Sequence, residues 1–264
     1  MNVESLILKT VSDLPPSGIR KYFDLLNEME DVISLGVGEP DFTTPWNISE
    51  TGIYSLEKGH THYSSNAGML QLREEISNYL KRKYDLHYDY KSQILVTVGG
   101  SEGIDLALRT LLGPGDEVII PEPSFVAYQG CSRLTGAKIV TIKLRAEDQF
   151  KLTPELLKKA LSPRTKVVIL PFPNNPTGAI LNRKEVAALV EVLKDRDLVI
   201  ISDEIYSELT YEGEHVSIAS FPEMKDKTIV INGFSKAFAM TGWRLGYACG
   251  DPAIIAAMTK IHQY

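Results

Sequence analysis

Short apolar runs recur along the chain, each closed by glycine, proline or asparagine, and longer stretches with apolar residues at helical spacing separate them. Residues 94–98, 117–120, 166–170, 198–201 and 228–232 read as strands, because they are short, rich in β-branched side chains and bounded by turn signals. Residues 70–84 carry Leu72, Ile76, Tyr79 and Leu80 on one helical face. Further helices are expected at 17–30, after a Pro-Pro-Ser-Gly breaker, and at 104–112, ended by Gly113-Pro114-Gly115. Thr153 as N-cap with Pro154 at the first helical position predicts a helix over 155–161, and a capping box at 182–185 predicts one over 186–194. The last residues, 260–264, lie inside another helical pattern. Alternation of strand and helix from 94 to 232 predicts a mostly parallel sheet covered by helices on both faces.

Composition narrows the function classes. The 264 residues carry a net charge of -6 with no basic block, which argues against nucleic acid as a partner. No apolar run reaches the roughly 18 residues of a membrane span, and the first residues lack the basic and apolar regions of a signal peptide. The expectation is a soluble, cytoplasmic protein. Cys131 and Cys249 are far apart without a CxxC pattern, and His60 and His62 have the wrong spacing for one helical face. Neither a disulfide framework nor a metal site is expected.

The candidate chemistry sits where strands end. Lys236 follows the 228–232 run, so its amine is delivered against the core, where desolvation lowers its pKa and makes it a nucleophile toward a carbonyl. Eight residues on, Arg244 stands between Trp243 and the apolar segment 245–249, and an unpaired guanidinium there calls for an anion. Gly99-Gly100-Ser101-Glu102-Gly103 lies between a strand and a helix, a place where free N–H groups and the helix dipole bind phosphate. It matches neither GxGxxG nor GxxxxGK[ST]. Glu102 sets a carboxylate in that turn, so it would contribute through its backbone N–H. Asp203 ends a buried run, and its carboxylate must meet a cation; Tyr206, three residues later, falls on the same side. Asn175 lies in the turn Asn174-Asn175-Pro176-Thr177-Gly178 after the 166–170 strand. Ligands bind at the carboxyl ends of strands in open α/β sheets, so one crevice can gather Gly100-Ser101, Asn175, Asp203 and Ser235-Lys236.

These segments, together with Gly38-Glu39-Pro40-Asp41-Phe42 and Tyr63 ahead of the 70–84 helix, resemble the class I/II aminotransferases, fold-type I enzymes dependent on pyridoxal phosphate. The resemblance implies that Lys236 forms a Schiff base with the cofactor aldehyde, and that Gly100, Ser101, Glu102, Ser235 and Arg244 hold its phosphate. It implies Phe125 stacked on the ring, Asp203 paired with the ring nitrogen, and Asn175 and Tyr206 on the phenolic oxygen. Gly38 and Asn175 would meet the substrate carboxylate. Tyr63 would reach the phosphate of a neighbouring subunit, which makes the assembly a homodimer with shared sites. The fold implied is a three-layer α/β/α arrangement around a seven-stranded mixed sheet, its antiparallel strand supplied by 245–249. Residues 1–45 would form an arm and the start of a small domain, and 46–264 the large cofactor domain. The C-terminal small domain, with the arginine that grips the substrate carboxylate, is missing on this reading. The activity implied is transfer of an amino group from an L-amino acid to a 2-oxo acid. A carbon-sulfur β-lyase using the same cofactor residues, or a cofactor-binding fragment without turnover, stands as the alternative.

Overall fold

The computed structural model describes residues 3–16 and 38–264. The helix expected at 17–30 lies outside the described residues. Seven strands form one sheet: β1 (Ile94–Thr97), β2 (Glu117–Glu122), β3 (Lys138–Lys143), β4 (Thr165–Leu170), β5 (Val199–Asp203), β6 (Thr228–Gly233) and β7 (Gly246–Cys249). Their order is β1-β7-β6-β5-β4-β2-β3. Only β7 runs against its neighbours, pairing antiparallel with both β1 and β6, so the mixed seven-stranded sheet is as expected. The other six strands therefore deliver their carboxyl ends to one edge.

Alternation along the strands builds the three layers. Val168, Leu170, Ile119 and Ile200 point to one face, under the helices Pro154–Ala160 and Arg183–Leu193. Val167, Ile169, Val118, Ile120 and Ile201 point to the other, under Gly100–Leu111, Ala127–Leu134 and Pro252–His262. A side-chain period of two in a strand buried on both faces requires a continuous apolar run, which these strands have. The helix Leu70–Tyr84 sits at the β1 end, burying Ile76 and Leu80 against Ile94, Val230 and Tyr247.

The local signals place most boundaries. The Thr153 side chain accepts from Leu156 N–H, and Asn182 with Glu185 forms the capping box in both directions. One boundary differs: the helix expected from 104 begins at Gly100, so Gly100 to Gly103 are its first turn and the turn proper is Val98-Gly99. The edge strand β3 and the helix Trp46–Glu57 were not indicated by the pattern. No helix among the described residues is long and apolar enough to cross a membrane.

Candidate active site

Five loops at the carboxyl edge carry the candidate residues. After β1, Gly99 takes φ +77°, a conformation that favours glycine, and opens the helix Gly100–Leu111. The first N–H groups of that helix, those of Gly100 and Ser101, have no acceptor within it. The turn is clamped by its neighbours. The Thr97 hydroxyl donates to the Gly99 carbonyl at 2.9 Å, and Gly246 lies so close that a Cβ there would stand 2.5 Å from the Gly99 carbonyl carbon. Arg244 reaches the same spot: a Cβ on Gly99 would meet its guanidinium nitrogen at 2.5 Å.

Arg244 corrects one step of the sequence argument. It adopts φ +55°, which turns it out of the apolar segment, and it is exposed. Desolvation is therefore not what demands an anion. The guanidinium donates to the Thr241 carbonyl at 3.1 Å and makes no ion pair among the described residues, so its charge beside the glycine turn is uncompensated.

Asp203, at the end of β5, is buried, and no side-chain cation pairs with it among the described residues. Instead the Tyr128 hydroxyl donates to Oδ2 at 2.7 Å and Ile205 N–H donates to Oδ1 at 3.2 Å. Burial is the largest influence and lifts its pKa to about 6; the two hydrogen bonds pull it down, and the neighbouring Glu204 pushes it up. Tyr128 is a site residue the sequence reading missed, since nothing local connects it to a carboxylate 75 positions away. Phe125 meets the Tyr128 ring edge-on, with centroids 5.8 Å apart.

Asn175 donates from Nδ2 to the Tyr206 hydroxyl at 3.2 Å. Its neighbour Asn174 holds the turn, accepting from both the backbone and the hydroxyl of Thr177 and donating to the Pro123 carbonyl. Burial raises the pKa of Tyr206, and the charge of Asp203 raises it further. The Lys236 ammonium lies 5.6 Å from the centre of the Tyr206 ring.

Lys236 and Ser235 follow β6 directly, and Ser235 is buried. Burial lowers the pKa of Lys236; Glu39 opposes that shift and Arg244 adds to it. The amine donates to the Gly38 carbonyl. Around it the segment 38–44 straps across the lysine loop: Thr241 donates to Glu39 at 3.0 Å, Thr44 to the Ala239 carbonyl at 2.6 Å, and the Trp243 ring to Thr44 at 3.1 Å. The Glu102 carboxylate, a concern in the glycine turn, is occupied elsewhere by Val98 N–H and His262. Tyr63 touches none of these groups and is fully exposed.

Residues 30–264 match the family Aminotransferase class I and II. YugH of Bacillus subtilis, a protein that carries the name of an aminotransferase, is 50% identical over 254 residues, covering 96% of this chain and 66% of its own length. The aspartate aminotransferase of Geobacillus stearothermophilus is 43% identical over 261 residues, covering 97% of this chain and 66% of its own length. Among solved structures, the aspartate aminotransferase of Thermus thermophilus with maleate superposes with a TM-score of 0.92 at 36% identity, over 97% of this chain and 68% of that one. The chain thus spans about two thirds of the length of the curated relatives it matches.

Proposed function

The chain belongs to the class I and II aminotransferases, and on that premise we propose that it serves pyridoxal phosphate-dependent transfer of an amino group from an L-amino acid to a 2-oxo acid. The observation that carries this reading is the meeting, at one sheet edge, of an amine with a lowered pKa and a buried carboxylate that lacks a cation.

The residues present fit pyridoxal phosphate. Asp203 suits a protonated ring nitrogen, which would supply the positive partner its burial leaves wanting. The free N–H groups of Gly100 and Ser101, the Ser235 hydroxyl and the uncompensated Arg244 guanidinium suit a phosphate, as does the backbone N–H of Glu102. Asn175 and Tyr206 already form a hydrogen-bonded pair that suits a phenolic oxygen. Phe125 supplies an aromatic face for the ring, worth on the order of 1 kcal/mol. When bound, the cofactor supplies an aldehyde for an amine and a ring that accepts the electron pair left by a departing α-proton.

The chain's own residues do the rest. Lys236 Nζ, kept more readily neutral by its surroundings, is both the amine that binds the aldehyde and the base that takes the α-proton from the amino acid. Asp203 would keep the ring nitrogen of a bound cofactor protonated. Gly38, whose carbonyl accepts from Lys236, and the Asn175 amide would meet the substrate carboxylate. Incubating the protein with pyridoxal phosphate and panels of amino acids and 2-oxo acids tests the reading: amino transfer that requires a 2-oxo acid is expected. Release of ammonia and a 2-oxo acid without an acceptor would replace it by a lyase.

The same proposal includes a homodimer with shared sites. Tyr63 is fully exposed, the helix Trp46–Glu57 buries none of its residues, and Trp46, Ile53, Tyr54 and Leu56 face outward. An apolar surface of that kind supports a partner subunit. Mixing Lys236→Ala chains with Tyr63→Ala chains is expected to restore, in mixed dimers, one site of wild-type cofactor affinity per pair. Titration showing only the weak sites of the Tyr63→Ala chain would remove Tyr63 from the site.

A further inference from the structure

Glu102 is the third residue of the helix Gly100–Leu111, and its side chain spans two elements. Oε2 accepts from Val98 N–H at 2.5 Å, and Oε1 meets the His262 ring nitrogen Nδ1 at 3.0 Å. Val98 has just left β1 and has no ladder partner, so the carboxylate satisfies a donor that the strand abandons. His262 closes the helix Pro252–His262, which packs beside Gly100–Leu111. The carboxylate therefore ties three things together: the end of a strand, the first turn of one helix and the last turn of another.

A carboxylate in a first turn is favourable toward the helix dipole, yet beside a phosphate it would repel. Both of its oxygens are engaged by partners on the protein, Val98 N–H and the His262 ring. The turn it holds tolerates little displacement. Gly99 is at positive φ with its carbonyl fixed by Thr97, and the backbone of Gly246 and the Arg244 guanidinium press on it from the other sides. We infer that the Glu102 side chain, held by His262, is a positioning residue for the phosphate turn: it fixes Val98 so that the Gly100 and Ser101 N–H groups point at a phosphate. The inference rests on the reading of that turn as the cofactor's phosphate site.

The test separates phosphate from ring. Pyridoxal phosphate and pyridoxal, which lacks the phosphate, are titrated by absorbance into wild type and into Glu102→Ala, Glu102→Gln and His262→Ala. Loss of a side-chain cap predicts that Glu102→Ala binds pyridoxal phosphate about tenfold more weakly while its pyridoxal affinity is unchanged. Glu102→Gln keeps an acceptor for Val98 and is expected to stay within about threefold of wild type. His262→Ala is expected to lose affinity in the same phosphate-dependent sense, by less than Glu102→Ala. Unchanged pyridoxal phosphate affinity in Glu102→Ala, or an equal loss for both compounds, overturns the brace alone. A wild type that shows no preference for the phosphorylated compound overturns the phosphate reading beneath it, and the brace with it.

Discussion

Replacing Lys236 by alanine is expected to lower amino transfer by about four orders of magnitude or more, since on the proposed function one residue serves as both nucleophile and proton carrier. The fold should be nearly indifferent to the change. The lysine is partly exposed and its amine donates to one backbone carbonyl at the rim, so removing it leaves no buried donor stranded. Thermal melting of the variant should match wild type within a few degrees, which separates lost chemistry from lost structure. Borohydride treatment followed by mass measurement gives the direct readout: wild type retains the cofactor covalently at Lys236, and the variant releases it. Lys236→Arg sharpens the point, because it keeps a positive charge but offers no amine that titrates in this range. A variant with arginine that still fixes the cofactor, or an alanine variant that still transfers, would exclude Lys236 from the chemistry. The pH dependence has a definite sign. Burial favours the neutral amine, so the free protein's reactivity toward the aldehyde should rise with pH through a midpoint below the ordinary lysine value of 10.5.

Much of this arrangement is legible in the chain. Residues 167–170 and 229–231 are apolar on both sides of the pleat, which only a sheet covered on two faces demands, and the polar residues that follow them must lie at its edge. Asp203 could be read as buried from Leu198 to Ile201 alone. What could not be read is who meets it: the Tyr128 hydroxyl comes from the helix that follows β2, 75 positions away in the chain, with no local pattern linking the two. Glu102 and His262 are likewise joined only by the packing of two helices. Arg244 shows a different failure. Its apolar neighbours suggest burial, but Arg244 itself takes the left-handed conformation and is exposed. The strand β3 escaped notice because it is an edge strand paired only with β2, and its exposed Lys138, Thr141 and Lys143 interrupt the apolar run. The helix Trp46–Glu57 buries nothing within one chain, so it shows no stripe for a pattern to reveal.

Asp203→Asn should separate stability from activity in opposite directions. In the protein without cofactor, burial holds the Asp203 carboxyl up at about 6 against 3.8 for a free aspartate. Below about pH 4 the group is protonated whether the chain is folded or not, and it costs nothing. As pH rises from about 4 to 6 the unfolded chain ionises first and the folded chain binds the extra proton, so stability falls across that window. Above it the penalty levels off at roughly 3 kcal/mol. Asparagine cannot ionise and still accepts from Tyr128, so the variant without cofactor is expected to melt several degrees above wild type near neutral pH and to match it near pH 4. Activity should move the other way. On the proposed function the missing cation is the ring nitrogen, so a buried ion pair would form once cofactor is bound, and breaking such pairs costs about 3–5 kcal/mol. Amino transfer by the variant is therefore expected to fall by about two to four orders of magnitude, and the gain in melting temperature on adding pyridoxal phosphate should be smaller than for wild type. Melts across pH with and without cofactor check both halves. A variant less stable than wild type at neutral pH without cofactor would mean that the carboxylate supports the fold rather than waiting for a cation.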